Sequence, residues 1–405
     1  MNNQSPRGLG AYYLNSFVTL LLANMFHYSL IVISNDVIGS KAFTGILFFS
    51  IFVPIIFLMP FVGNTLDKRS RKEVLLFGQI ITLLAYILLL LTSWLQISSA
   101  VLPFLLMAAA LTMGTSLAMI VPARISLLAD IVSKENLSNA TATSAMFPML
   151  GFSLAPACVD YLSNSMGQGS YFELLIILHL AGMLLIILIP YKSNLVTSNN
   201  NDTPLKGYLD KSPLLRETLM FFCLIIFIIG PFQTLLPVLF VEELGVSNVQ
   251  RGLYMSSLGL GLLSGGIVSR LYITRLNSIG KAIFIISALI GFLVGMIASV
   301  NTAPLAATLL YFAGIFLGFG CSALTVLIQN VTDDRYRGRL NALFSLIFQL
   351  APALGGLITG IIAQLSSTRT SLMASAILIF FLSIFFHLVF SYLNNARLNP
   401  QVENR

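Results

Sequence analysis

The sequence predicts an all-α membrane protein of twelve transmembrane helices in two pseudo-symmetric six-helix halves, and three observations predict it. The first is composition: the 405 residues are 57% hydrophobic and only 9% charged, with a mean hydropathy of +0.90. A water-soluble fold built from them would lack the polar surface to cover itself. The second is that the apolar residues gather into runs of about 20 residues, the length of helix that crosses a hydrocarbon core of about 30 Å. The third is that twelve such runs can be counted, six on each side of one polar stretch.

The first six runs lie near 11–35, 43–63, 73–95, 100–123, 140–163 and 171–190; the second six lie near 218–241, 250–269, 281–300, 303–329, 340–365 and 370–393. This divides the chain into a first half at 1–190, a linker at 191–216 containing TSNNNDTP, a second half at 217–394 and a tail at 395–405. The N-terminal MNNQSPRGLG places one Arg before a long apolar run with no small-residue cleavage site soon after, so the first helix reads as retained. Between runs 2 and 3, Gly63 to Lys72 reads GNTLDKRSRK and packs Asp67, Lys68, Arg69, Arg71 and Lys72 into a gap that must be wetted. Basic residues beside membrane segments set orientation, so this loop is assigned to the cytoplasm. Twelve crossings then put both termini on the same side. Of 22 Lys and Arg, only Lys41, Arg251 and Arg369 fall in the outer gaps, together with the acids Asp36, Asp160, Glu173, Glu242 and Glu243.

The halves echo each other. Run 4 is followed by LLADIVSKENLSNA and run 10 by LIQNVTDDRYRGRLNA, so Asn139-Ala140 and Asn341-Ala342 each open the next run after a charged turn. Ala155-Pro156-Ala157 and Ala351-Pro352-Ala353 follow in turn. That is the pattern of a transporter built from parallel repeats.

Several function classes are excluded. The formal charge of +7 is spread over short gaps and forms no patch or tail, which argues against a nucleic-acid partner. Cys158, Cys223 and Cys321 sit in separate apolar runs, with neither disulfide nor metal spacing. The glycine run GLGLLSGG from Gly259 lies inside an apolar span and lacks the lysine of a phosphate loop. No metal cluster or nucleophile triad is visible, so no enzyme activity, cofactor or metal is expected, and an ion gradient is the expected driving force.

Gly63-x-x-x-Asp67-Lys68-x-x-Arg71-Lys72 resembles the signature loop between helices 2 and 3 of the major facilitator superfamily, with Ser70 in place of the usual second glycine. The resemblance implies a cytoplasmic gate in which Asp67 meets a helix end or a basic residue and the basic side chains meet carboxylates; the alternative is that the basic residues only anchor topology. Pro122-Ala123-Arg124, Leu128, Asp130, Val132, Glu135, Leu137, Asn139 and Ala140, with Gln329, Asp333, Gly338 and Arg339, look like the branch that includes bacterial enterobactin exporters. Arg124 is expected to pair with a carboxylate at the same gate, or else to snorkel to the interface.

Ionisable groups within a bilayer are costly, so each is a functional candidate. On run 1, Asn24, His27, Ile31, Ser34 and Asn35 share a face, with Asp36 just beyond. The resemblance puts helices 1, 4, 7 and 10 around a central cavity, so this stripe is expected to face the substrate path. His27 and Asp36 can exchange protons there, or His27 can be a packed histidine and Asp36 a wetted one. Gln233, between Pro231 and Pro237 at an expected bend, and Gln329 and Asn330 at the end of run 10 are substrate candidates, or amides bonded between helices, and Gln349 on run 11 is a further candidate for the substrate or proton path. Asp160 reads as a solvated cap.

The expected protein is therefore a monomeric carrier of the bacterial inner membrane that contacts membrane lipid and moves a small organic molecule by alternating access. The branch resemblance favours proton-coupled efflux of a siderophore or amphipathic compound. Import of a siderophore or nutrient, lysolipid transport, and a transport-inactive receptor are the alternatives.

Overall fold

Twelve helices long and apolar enough to cross a membrane are present in the computed structural model. The structure describes residues 6–95, 98, 100–133, 136–191, 205–276, 278–333 and 336–396; half of the expected linker and the end of the tail lie outside these. Among the described residues there are sixteen α-helices and no strand. They are α1 Pro6–Ile33, α2 Lys41–Ser50, α3 Val53–Lys68, α4 Arg71–Trp94, α5 Leu102–Ile131, α6 Leu137–Met166, α7 Gln168–Ile187, α8 Leu205–Lys211, α9 Pro213–Phe227, α10 Ile229–Val238, α11 Asn248–Tyr272, α12 Ile279–Ser299, α13 Ala303–Val331, α14 Arg337–Leu365, α15 Thr368–Val389 and α16 Ser391–Asn394.

Two expected crossings are each broken into a pair of helices, and proline accounts for one break directly. Pro54 has no N–H to return to the Ser50 carbonyl, so the second crossing stops at Ser50 and restarts at Val53, with Phe52 N–H donating to Phe49 O at 2.9 Å. The seventh crossing pauses at Ile228, ahead of Pro231, and Gln233 lies in the restarted helix α10. The ends of the first and seventh crossings match. α1 runs into a π-helical turn, Ser34–Ile38, closed by Gly39 at φ 69°; α10 runs into another, Leu239–Glu243, followed by Gly245 at φ 66°. Each glycine adopts the left-handed conformation that a side chain disfavours.

The chain folds into two compact units, each with the same packing scheme. The first holds α1, the rest of α2 from Ile46 on, α3 to α7, and the short segment Asn248–Gly252. Within it α4 packs on α5 and α7, and α1 packs on α6. One end is held by buried Tyr12, Leu75, Ala123, Leu127 and Ile186. The second unit holds Lys41–Gly45, α8 to α10, α11 from Leu253 on, and α12 to α16. There α12 packs on α13 and α15, and α10 packs on α14. Leu215, Leu219, Ile328 and Leu340 form the matching core. Each unit thus incorporates five residues that open a helix of the other half of the sequence.

Candidate functional site

The most buried charges of the first unit meet at Arg251. This residue lies in the first turn of α11, and a Cβ at its neighbour Gly252 would fall 2.9 Å from the Cβ of Asp160, so helix backbones touch at this point. That approach delivers the guanidinium to a carboxylate. Arg251 Nε donates to Asp160 Oδ2 at 2.9 Å and Nη2 to Asp160 Oδ1 at 2.8 Å, a paired geometry that matches the guanidinium fork to both carboxylate oxygens. The remaining nitrogen, Nη1, donates to Asp36 Oδ1 at 3.1 Å and Oδ2 at 3.3 Å, and the Tyr28 hydroxyl donates to Asp160 Oδ2 at 2.9 Å.

Burial sets the energetics. The side chains of Arg251 and Asp160 are 2% and 1% exposed, whereas that of Asp36 is 35% exposed. Desolvating two ions is offset only when geometry and further hydrogen bonds are good, and both conditions hold for the Arg251–Asp160 pair. With Asp36 included, two carboxylates share one guanidinium, so the group carries one negative charge that a single proton would cancel.

The basic loop is tied within the same unit. Arg71 opens α4 and pairs with Asp130 near the end of α5, while the Tyr191 hydroxyl donates to Asp130 Oδ2 at 2.6 Å. Lys72 Nζ donates to the carbonyls of Ile187 and Ile189, both at 2.8 Å, closing the C-terminal end of α7. Lys68 is exposed. The side chains of Gly63 and Asp67 lie outside the described residues.

Arg124 was expected to meet a carboxylate, and among the described residues it meets none. It is 8% exposed, and Nη2 donates to the Thr19 hydroxyl at 2.6 Å. Among the other predicted positions, Asn24 donates to its own helix at Leu20 O, Gln349 donates to Ser345 O, Gln233 is half-buried and Gln329 is exposed. His27 lies beside Phe26 and Phe52, and its buried Nε2 makes no hydrogen bond. Of the ten predicted site residues whose side chains are described, only Asp36 joins the Arg251 cluster. Asp160, read from sequence as a solvated cap, is corrected to a buried ion-pair partner. In the second unit Lys41 pairs with Glu242 at 3.2 Å, and Arg369 Nε donates to Glu243 Oε2 at 2.5 Å. Among the described residues no three His, Cys, Asp or Glu side chains converge as a metal site.

If His27 belongs to the proton path, His27→Ala is expected to lower flux or alter its dependence on pH between 5 and 8. Flux in reconstituted vesicles across that range is the check, and an unchanged profile removes the residue from the path.

A family model described as the Major Facilitator Superfamily matches residues 11–346 and again 281–404. No match is found among curated proteins. Solved structures match along nearly the whole chain. A bacterial homologue of the human lysosomal transporter Spinster, inward-facing and unoccupied, is 15% identical with a TM-score of 0.72, covering 98% of this chain and 99% of that one. The nucleoside transporter NupG is 16% identical with a TM-score of 0.73, covering 96% and 100%. A D-xylose-proton symporter is 11% identical with a TM-score of 0.76, covering 96% and 99%. At such identities the likeness is one of fold.

Proposed function

We propose, from the premise that this chain belongs to the major facilitator superfamily, that it is a proton-coupled secondary carrier of a small organic molecule, working by alternating access. It is a multi-pass membrane transporter and not an enzyme. The observation that carries the coupling is the sharing of Arg251 between buried Asp160 and half-exposed Asp36. A proton on either carboxylate removes part of the attraction holding the guanidinium and leaves the group neutral. Arg251 is two residues before Leu253, where α11 passes from the first unit to the second. Release of Arg251 from Asp160 is the step proposed to be coupled to transport, and protonation lowers its cost.

The proposed direction is efflux of a siderophore or other amphipathic compound, from the bacterial inner membrane with both termini in the cytoplasm. Its support is the sequence resemblance around Arg124 and Asp130. Everted membrane vesicles under an imposed proton gradient test it. Proton-driven uptake into everted vesicles is the expected result; uptake seen only in right-side-out vesicles reverses the direction to import.

A transport-inactive receptor on the same fold is separated by the loop motif. Asp67→Asn is expected to remove most flux while the protein still inserts in the membrane, measured as vesicle uptake against immunodetected protein. A receptor has no flux to lose.

A further inference from the structure

We propose that Arg124 is an anion-recognition residue, so that the transported molecule is an organic anion whose carboxylate or phosphate group Arg124 receives. The proposal rests on the carrier reading and narrows its substrate class.

The argument starts from the charges of the first unit. Arg71 meets Asp130 and Arg251 meets Asp160 and Asp36. Arg124, at 8% exposed, is deeper than Arg71, whose side chain is 26% exposed, yet among the described residues no carboxylate pairs with it. Its one hydrogen bond runs from Nη2 to the Thr19 hydroxyl, which itself donates to the Asn15 carbonyl at 2.7 Å. Arg124 Nε is buried and donates to nothing. A guanidinium removed from water and left without a counter-ion is a standing cost that folding alone does not explain.

The surroundings are built to receive an oxyanion. The Tyr12 hydroxyl, which donates to the Arg124 carbonyl at 3.2 Å, lies beside the guanidinium and beside the hydroxyls of Ser16 and Ser144. Both serine oxygens are buried against the Tyr12 hydroxyl. Three elements thus bring polar groups together around the Tyr12 hydroxyl and the Arg124 guanidinium: α1 through Tyr12 and Ser16, α5 through Arg124 and α6 through Ser144. A planar fork of donors beside hydroxyls suits a carboxylate or phosphate, with several oxygens to fill, better than a spherical halide. His179 of α7, close enough to feel the Arg124 charge, adds no negative charge.

The test uses the full-length protein in detergent and reads its thermal unfolding midpoint against benzoate, benzamide, inorganic phosphate and sodium chloride at matched ionic strength. Ligands of the folded state raise the midpoint with concentration. Benzoate, phosphate or both are expected to raise it, and benzamide and chloride to leave it unchanged; which oxyanion acts reports the class of anionic group. Arg124→Gln is expected to weaken the oxyanion response by at least about 10-fold, while the ligand-free midpoint stays level or rises because an unpaired buried charge has been removed. Arg124→Lys, which keeps the charge and loses the fork, is expected to fall between them. An oxyanion response equal in wild type and variant, or no oxyanion response in wild type, overturns the proposal. A marked fall of the ligand-free midpoint in Arg124→Gln also overturns it, since that is the mark of a purely structural residue. The two readings fail separately. Oxyanion binding through Arg124 without proton-driven flux leaves the site and removes the carrier; proton-driven flux of uncharged compounds without an oxyanion response does the reverse.

Discussion

Arg251→Gln is expected to abolish proton-driven flux and to destabilise the protein by about 3–5 kcal/mol, the usual cost of removing one member of a buried ion pair. The substitution leaves Asp160, 1% exposed, with Tyr28 as its sole remaining donor from this cluster. The loss arises mainly from the stranded carboxylate rather than from a missing attraction, and this has a testable corollary. The double variant Arg251→Met with Asp160→Leu removes both charges, so it is expected to regain most of the thermal stability while its flux stays absent. By contrast Asp36→Asn, acting on a side chain 35% exposed, is expected to change stability by no more than about 1 kcal/mol, as for other solvent-screened pairs. Unfolding midpoints together with flux in proteoliposomes separate these cases. A double variant as unstable as the single one would show that burial of the pair is not what the fold depends on at this point.

Gly230→Leu is the second change with a large expected effect. Gly230 sits in α10 against α14, and the atoms a Cβ would meet are backbone: the Pro352 carbonyl, the Gly356 nitrogen and, at 2.8 Å, the carbonyl carbon of Gly355. No rotamer change relieves such a clash, so the two helices must separate. Overpacking a close-packed contact typically costs about 1–3 kcal/mol and more where only backbone can yield. The expected outcome is little monodisperse protein and a lowered unfolding midpoint. Gly10→Leu serves as control, since nothing lies within 4 Å of a Cβ there. Equal yields for the two variants would contradict the packing described for the second unit.

The twelve spans were legible because bilayer thickness imposes a run length that composition alone reveals. The breaks within spans were legible only in part. Pro54 explains the restart at Val53 in retrospect, and Pro231 with Pro237 led to an expected bend, but the π-helical turns after α1 and α10 have no sequence signature beyond the glycines that close them. The site was less legible still. Asp160 and Arg251 are 91 residues apart, and Asp36 and Arg251 are 215 apart, so neither local spacing nor helical periodicity joins them. One signal was available. Arg251 was among only three basic residues on the side expected to be poor in them, and a cation placed against that bias needs a partner. Arg124 shows the opposite failure: its motif suggested a carboxylate partner, but which side chains a buried guanidinium meets depends on helix rotation, which a motif does not encode.

The most direct test of the account is proton movement measured in proteoliposomes containing a pH-sensitive dye, with candidate organic anions added under an imposed pH gradient, for wild type and Asp160→Asn side by side. The account predicts compound-dependent proton movement in wild type and its loss in Asp160→Asn. Compound flux that is equal in the two proteins and indifferent to the gradient would contradict it.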